Sequence, residues 1–346
     1  MKPFLITIVL SFLTYSEIIC QKTYELKFEK SEKSYDTDTI KTLESLKKIG
    51  DVFYFTYYGD YKNILTNLNT FYKENPFDTI GFRCSVYSAL GDRNHIILGR
   101  NFDNPEKGII ISKFYPSNGY SSICITGMDD LGYDRYLDLS KLTLKEKSGI
   151  LKAPFYTCDG INEKGLSASI AWIPSQKINP DNKKEKIFIT LLLRIILDNA
   201  QNINEAIALA NKYDVYDKNL NFISHHFLIT DRNGQSLIIE YKDGKMQFIK
   251  TSYPYQIITN TYVGNYSEDY KRLACYRYTV LSKDLETKNG ILNNSEAMDL
   301  LCKVAGENPK TGATTLWSAV YDLNRQIGYV SVYRNFDIKY VFKLNE

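Results

Sequence analysis

Histidine is almost missing from this chain: its 346 residues include only His95, His225 and His226, and none stands beside a catalytic signature. That scarcity removes the usual base for a cysteine or serine nucleophile. A CxxC pair is also lacking, as is any Cys/His cluster at metal-ligand spacing, which argues against a zinc site. There is no dominant basic tract, and 43 Lys and Arg against 40 Asp and Glu leave a formal charge of only +3. Nucleic acid is therefore not the expected partner. Beyond the first twenty residues no apolar run is long enough to cross a bilayer. Repeats, Pro/Ser linkers and long disordered tracts are absent too. With 44% hydrophobic residues the chain can bury one large core or two modest ones.

What is present begins with a distinctive N-terminus. Lys2 precedes the apolar run PFLITIVLSFLTY, which ends in SEIICQK. A charged start and a short apolar stretch are the marks of a secretory signal over residues 1–20. Ile19 is bulkier than the small residue a signal cleavage site favours. Cys20 offers the alternative of a lipidated anchor, behind a weak Ile18-Ile19 lipobox. The pattern points to export, as a secreted, periplasmic or lipoprotein-anchored protein. Five cysteines follow, Cys84, Cys124, Cys158, Cys275 and Cys302. In an exported chain they could pair, and the odd count leaves at least one thiol over.

Residues 21 to about 50 are rich in Lys, Glu, Asp, Ser and Thr and read as a solvated, partly helical lead segment. Ile64, Leu65, Leu68 and Phe71 then recur at helical spacing until Pro76. CSVYSAL and HIILGRN flank the turn cluster GDRN, predicting an antiparallel hairpin. EKIFITLLLRIILDNA and NINEAIALANKY read as consecutive helices, the second opening near Asn202 with Glu205 at capping-box distance. HHFLITD, QSLIIEY and KMQFIKT predict a three-strand meander, and TLWSAVYDL, IGYVSVY and IKYVFKL repeat the idea at the C-terminus. Strands, two helices and more strands suggest layered α+β with largely antiparallel sheets.

The chemistry centres on Cys84. An N-terminal cysteine carries its own base, because a free α-amine of ordinary pKa near ~8 can take the thiol proton. A strand–turn–strand path returns Arg100 and Asp103, sixteen and nineteen positions on, beside the start of the first strand. Arg100 could then favour the thiolate while Asp103 holds the amine. Taken alone, these residues read more readily as a small buried thiol and a surface ion pair.

The sequence CSVYSALGDRNHIILGRNFD resembles the mature N-terminus of the choloylglycine hydrolase family of N-terminal nucleophile hydrolases. That group includes bile salt hydrolases, penicillin V acylases and, more distantly, acid ceramidase. DGINEKGLSASIAWIP (Asp159 to Pro174), IITNTY and SEDYKRL resemble further family segments, so the likeness runs from Cys84 to the end. The resemblance implies a four-layer αββα sandwich and a nucleophilic Cys84 with its α-amine as base. It implies Arg100 and Asp103 as an orienting pair, Asn260 as an oxyanion donor, and Arg272 completing the site, Arg277 being the weaker candidate. Without the resemblance, Asn260 would read as a turn residue and Arg272 as a solvated helix face. The segment DGINEKGL reads as a hairpin turn with glycines at positive φ. His225-His226 opens a strand, with metal binding a minority reading. The 28 Tyr and 17 Phe could line an acyl pocket, though aromatics mostly fill cores.

Two departures bear on specificity. At the position of Trp172 the bile salt hydrolases carry asparagine and the penicillin V acylases tyrosine. An indole supplies neither amide nor phenol, so Trp172 could serve an oxyanion only through its backbone N–H. It favours an apolar acyl group and disfavours conjugated bile salts. About sixty residues also separate the signal from Cys84, like members with a pro-segment, which sets the domains as 1–20, 21–83 and 84–346. The reading is an exported, autoprocessing cysteine amidohydrolase of an N-acyl amide, with no metal or organic cofactor. Its cleaved pro-segment could stay bound, and assembly with a second copy stays open. The rivals are an acyltransferase of the same fold and a non-catalytic binding protein.

Overall fold

The computed structural model describes residues 21–29, 38–61, 83–105, 108–181, 183–217, 221–264, 266–308 and 312–345. The candidate signal peptide, the helical spacing from Ile64 to Phe71 and Pro76 lie outside them. Two large sheets dominate. The first runs in the order β1 (Lys22–Glu25), β19 (Ile338–Lys343), β18 (Ile327–Val332), β17 (Ala313–Asp322), β5 (Ile97–Pro105), β4 (Arg83–Ala89) and β15 (Tyr255–Ile258). A short β16 (Glu307–Asn308) pairs with β17. The second runs β14 (Lys245–Lys250), β13 (Ser236–Lys242), β12 (Phe222–Asp231), β9 (Leu166–Lys177), β8 (Asp159–Asn162), β7 (Ser122–Gly127), β6 (Ile109–Tyr115), β3 (Val52–Tyr58) and β2 (Lys47–Ile49).

Helices cover both outer faces. Against the second sheet lie α1 (Thr39–Glu44), α2 (Ile189–Asn199) and α3 (Ile203–Ala210). On the first sheet, α5 (Tyr276–Thr287) and α6 (Asn294–Val304) pack, with α4 (Glu268–Ala274) leading into α5. The result is the expected four-layer αββα sandwich. Its strands show why in their alternation. On β4, Cys84 and Val86 face the core between the sheets, whereas Tyr87 and Ala89 face the helical layer with Leu281, Leu301 and Met298. Both faces of the strand are therefore buried, which is what a sandwiched strand requires.

The hairpin at GDRN, the meander β12–β13–β14 and the closing strands β17–β18–β19 form as the sequence predicts. Asn202 caps α3, its side chain accepting from the Glu205 N–H. Other segments differ. The solvated lead segment supplies β1, which pairs in parallel with β19, while β3 pairs in parallel with β6. The apolar run VFYFTYY decides this: β3 is buried along almost its whole length and belongs to the core. The start of the first predicted helix is instead β10 (Glu185–Phe188), paired in parallel with β11 (Tyr213–Tyr216). Of the two glycines in DGINEKGL only Gly165 has positive φ, +73°. Gly160 lies in β8, where a Cβ would sit 2.7 Å from Cys124 Sγ. All five described cysteines are free thiols.

A second close approach shapes the hairpin that carries Cys84. Tyr87 lies opposite Gly99 across the β4–β5 pair, and a Cβ at Gly99 would fall 2.4 Å from the Tyr87 ring. The Tyr87 hydroxyl donates to Ala297 O of α6 at 2.8 Å, so the ring has nowhere to retreat. Gly99→Ala should therefore destabilise the protein by about 1–3 kcal/mol through overpacking. A urea melt should show a lower midpoint at unchanged slope; an unshifted midpoint would mean the ring yields freely.

Candidate active site

Strand register builds the site. Antiparallel pairing of β4 with β5 sets Phe102 opposite Cys84 and Arg100 opposite Val86, so Arg100 lies diagonally across from Cys84 on the same face. Pairing of β15 with β4 sets Ile258 opposite Val86. Two places further along that register comes Asn260. On the other side of β5, Thr315 of β17 lies opposite Asp103 just before a bulge.

Three side chains, of Asn260, Arg277 and Arg100, contact Cys84. Its backbone N–H donates to Asn260 Oδ1 at 2.9 Å. Asn260 Nδ2 in turn donates to the Trp172 carbonyl at 2.6 Å. Arg277, in the first turn of α5, donates to Cys84 O at 2.7 Å, to Ser85 Oγ at 3.1 Å and to Asp103 Oδ2 at 3.2 Å, and also reaches Asn260 Oδ1. Thr315 Oγ1 donates to the other Asp103 oxygen at 2.7 Å. From the core side, Arg100 Nη2 approaches Cys84 Sγ at 3.8 Å.

Arg100 is fully buried between the sheets and joins them. Its Nη1 lies 2.9 Å from Asp159 Oδ2 of β8 and donates to Cys158 O and Ser169 Oγ. Trp317 Nε1 and the Tyr321 hydroxyl donate to the same carboxylate at 2.9 and 2.8 Å. Phe102 and Trp317 stack with centroids 4.0 Å apart, and the guanidinium lies over the Phe102 ring at 4.6 Å. Burial works against the guanidinium charge, but the Asp159 carboxylate outweighs it and holds the group charged. Burial likewise pushes the Cys84 thiol above its ordinary range, against the pull of Arg100 and Arg277 and with the push of Asp103. In the continuous chain Cys84 is thus a protonated, 1% exposed thiol.

A cavity of about 610 Å³ opens beside this cluster, lined by Asn260, Arg277, Trp172, Thr261, Tyr276 and Val304 among others. Asn260 and Arg277 are thus both lining residues and direct partners of Cys84. A larger cleft of about 860 Å³, walled by Lys48, Arg135 and Tyr333, contains no member of the cluster.

The structure brings Cys84, Arg100, Asp103, Asn260 and the Trp172 carbonyl together. It does not bring Arg272. That side chain pairs with Glu286 at the partly exposed surface, and the arginine over Cys84 is Arg277. The reason is a break: Cys275 has φ −143° and ψ 110°, so α4 ends there and α5 begins anew, leaning Arg277 over β4. The backbone hydrogen bond of Cys84 goes to Asn260, while the Asp103 carboxylate takes Arg277 and Thr315. Sequence reasoning also missed Asp159, taken for part of a turn. The only available signal was the pair of polar aromatics in TLWSAVYDL, whose donors need a buried acceptor.

A two-sheet α+β sandwich with a cysteine at the head of a central strand, ringed by Arg, Asp and Asn, is the N-terminal nucleophile hydrolase architecture. The chain belongs to the choloylglycine hydrolase family of linear amide C–N hydrolases, whose family model matches residues 84–291. It is 34% identical over 114 residues to a penicillin V acylase of Pectobacterium atrosepticum, a match that spans 30% of this chain and 30% of that relative. A penicillin V acylase structure from Agrobacterium tumefaciens superimposes with TM-score 0.51 at 18% identity, covering 72% of this chain and 83% of that one. A variant of conjugated bile acid hydrolase from Clostridium perfringens gives TM-score 0.55 at 14% identity, covering 76% and 93%. These two likenesses are of fold.

The two arginines make opposite expectations. Arg277→Ala removes one donor from the Cys84 carbonyl and one from Asp103 and should cut kcat on the order of a hundredfold or more. Arg272→Ala removes a partly exposed ion pair and should leave kcat within about threefold. Steady-state kinetics of both variants checks this, and equal losses would return Arg272 to the site. Alkylation of Cys84 by iodoacetamide in the uncleaved chain should be slow at neutral pH. Because the thiol is pushed up, the thiolate fraction and the rate should still be climbing at about pH 9.

Proposed function

We propose that the chain is an autoprocessing cysteine hydrolase of N-acyl amides, activated by cleavage of the Arg83–Cys84 bond. The observation that carries this is the bonding at Cys84: its nitrogen on Asn260, its carbonyl on Arg277 and its sulfur beside Arg100. No histidine takes part in that set, so the base must be the α-amine that cleavage releases. The burial of the thiol in the continuous chain agrees with a precursor that cannot reach an external substrate.

In processing, the Cys84 thiol adds to the Arg83 carbonyl carbon. The C–N bond breaks as the Cys84 nitrogen takes a proton, leaving a thioester that water hydrolyses to an Arg83 carboxylate and a free thiol. In turnover, the α-amine accepts the thiol proton and the sulfur attacks the substrate carbonyl. Asn260 Nδ2 donates to the developing oxyanion. The C–N bond then breaks, and the leaving amine takes the proton held by the α-amine. Water, with the α-amine again as base, releases the carboxylic acid and restores Cys84. Charged Arg100 lowers the cost of the thiolate on the core side.

The substrate is a small N-acyl amide with an apolar acyl portion, because Trp172, Tyr276, Val304 and Ala305 line the cavity. The residues N-terminal to the cut remain bound after it. This is supported by β1, a member of the first sheet, and β3, a member of the second, which in the continuous chain both pair with strands beyond residue 84. Lys2 and the apolar run to Cys20 support export.

N-terminal analysis of the purified protein should find a terminus beginning Cys-Ser-Val-Tyr. The two fragments should separate on a denaturing gel and co-elute as one species under native conditions. Cys84→Ala should remain a single folded chain without hydrolysis of phenoxyacetyl or fatty-acyl amides, and Cys84→Ser should retain little. Full activity in a chain still continuous through Phe82-Arg83-Cys84 would overturn the mechanism. Faster turnover of glycine- or taurine-conjugated bile acids than of the other amides would overturn the substrate assignment.

A further inference from the structure

The histidine pair finds no place in the chemistry at Cys84, yet His226 is fully buried and has two partners. Its Nδ1 lies 3.0 Å from Glu240 Oε2, and its Nε2 lies 2.9 Å from the Thr259 carbonyl. A carboxylate and a carbonyl are both acceptors, so each ring nitrogen needs a hydrogen. A hydrogen on each nitrogen would satisfy both acceptors and pair the ring with a carboxylate that is itself only 1% exposed. Glu240 takes two further donors, the backbone N–H groups of Val263 and Gly264, each at 2.9 Å. Burial pushes this carboxyl up, but the His226 and backbone hydrogen bonds outweigh it and hold it below its ordinary range.

These contacts bracket one segment. Thr259 is held at one end and Val263 with Gly264 at the other, and between them sit Asn260 and Thr261, both lining the cavity beside Cys84. Strand β15 ends at Ile258, so the ladder with β4 stops two residues short of Asn260. Beyond that point the segment is held by the Asn260 side-chain bonds and by contact with His226 of β12 and Glu240 of β13.

We propose that His226 is a positioning residue for Asn260: as an imidazolium it ties Thr259 to Glu240, and through Glu240 to Val263 and Gly264, so that the Asn260 amide stays aimed at the reacting carbonyl. This rests on the hydrolase reading above. The titratable groups around the ring are Glu240 on β13, Tyr262 on the same segment, and the His225–Asp217 pair next along β12. The Tyr262 phenol is pushed up to about 12 by burial and by the Glu240 charge, so it stays neutral. Loss of the ring proton leaves one hydrogen for two acceptors. Either Thr259 or Glu240 is then released, and the Asn260 geometry loosens.

Three measurements test this on the full, processed protein. Nitrogen-15 NMR of the wild type should show both His226 ring nitrogens protonated at pH 7; a singly protonated ring would overturn the proposal whatever the turnover. His226→Gln, which can donate to only one of the two acceptors, should lower kcat tenfold or more with KM changed less than about threefold. Glu240→Gln, which keeps an acceptor for the Val263 and Gly264 amides, should retain more activity than Glu240→Ala. A folded His226→Gln protein with wild-type kcat across the pH range would also overturn it. Absence of turnover by the wild type on every acyl amide would instead fail the hydrolase reading, leaving the NMR result to decide this one.

Discussion

The two sheets meet through a buried charge. Arg100 leaves β5 of one sheet, Asp159 leaves β8 of the other, and their contact at 2.9 Å lies wholly out of solvent. A buried ion pair is costly to assemble and, once one partner is lost, costs about 3–5 kcal/mol more. Here the cost is offset in part: Trp317 and Tyr321 complete the carboxylate, and Cys158 O and Ser169 Oγ accept from one guanidinium nitrogen, while Nε has no hydrogen-bond partner among the described residues. An apolar contact in the same place would join the sheets as well. It would not bring a fixed positive charge to 3.8 Å from a thiol. The energy held in this pair therefore serves chemistry as much as cohesion.

The rest of the site hangs from the first sheet by hydrogen-bonding register. Neighbouring strands β4, β5 and β17 contribute Cys84, Asp103 and Thr315 at one end of the sheet, and Asn260 follows two residues beyond the end of β15. A slip of one residue in any pairing would turn Arg100 or Cys84 to the opposite face. Tyr87 wedged over Gly99 and anchored to α6 opposes such a slip. Helix α5 then closes the site from the outer layer with Arg277, which binds the Cys84 carbonyl and Asp103 at once. Three of the four layers thus contribute to one small volume: Asp159 from the second sheet, Cys84 from the first, and Arg277 from the helices on the first sheet.

The chain N-terminal to Cys84 is part of this construction. β3 lies parallel to β6 deep in the second sheet, and β1 extends the first beside β19. Apolar burial along VFYFTYY, on the order of 1.5–3 kcal/mol for each large side chain, gives that segment its own claim on the fold.

Much of the site was legible in residue order. The hairpin CSVYSAL–GDRN–HIILGRN has an unmistakable period of two around a turn, and it alone places Arg100 and Asp103 near Cys84. The near absence of histidine pointed to an unusual base, and the meander and closing strands follow from local alternation. Asn260, Arg277 and Asp159 belong to the other category. Each acts on a residue far away in sequence, through a strand end, a helix break at Cys275 or a contact between sheets, and none leaves a periodic trace. VFYFTYY drew no assignment for a related reason: it follows a charged stretch, and its partner β6 comes about fifty residues later. Local sequence determined the elements and their faces, because backbone sterics and side-chain period act over a few residues. Only the tertiary structure decided which arginine, which carboxylate and which histidine meet the cysteine's neighbourhood, because charges and hydrogen bonds act through space.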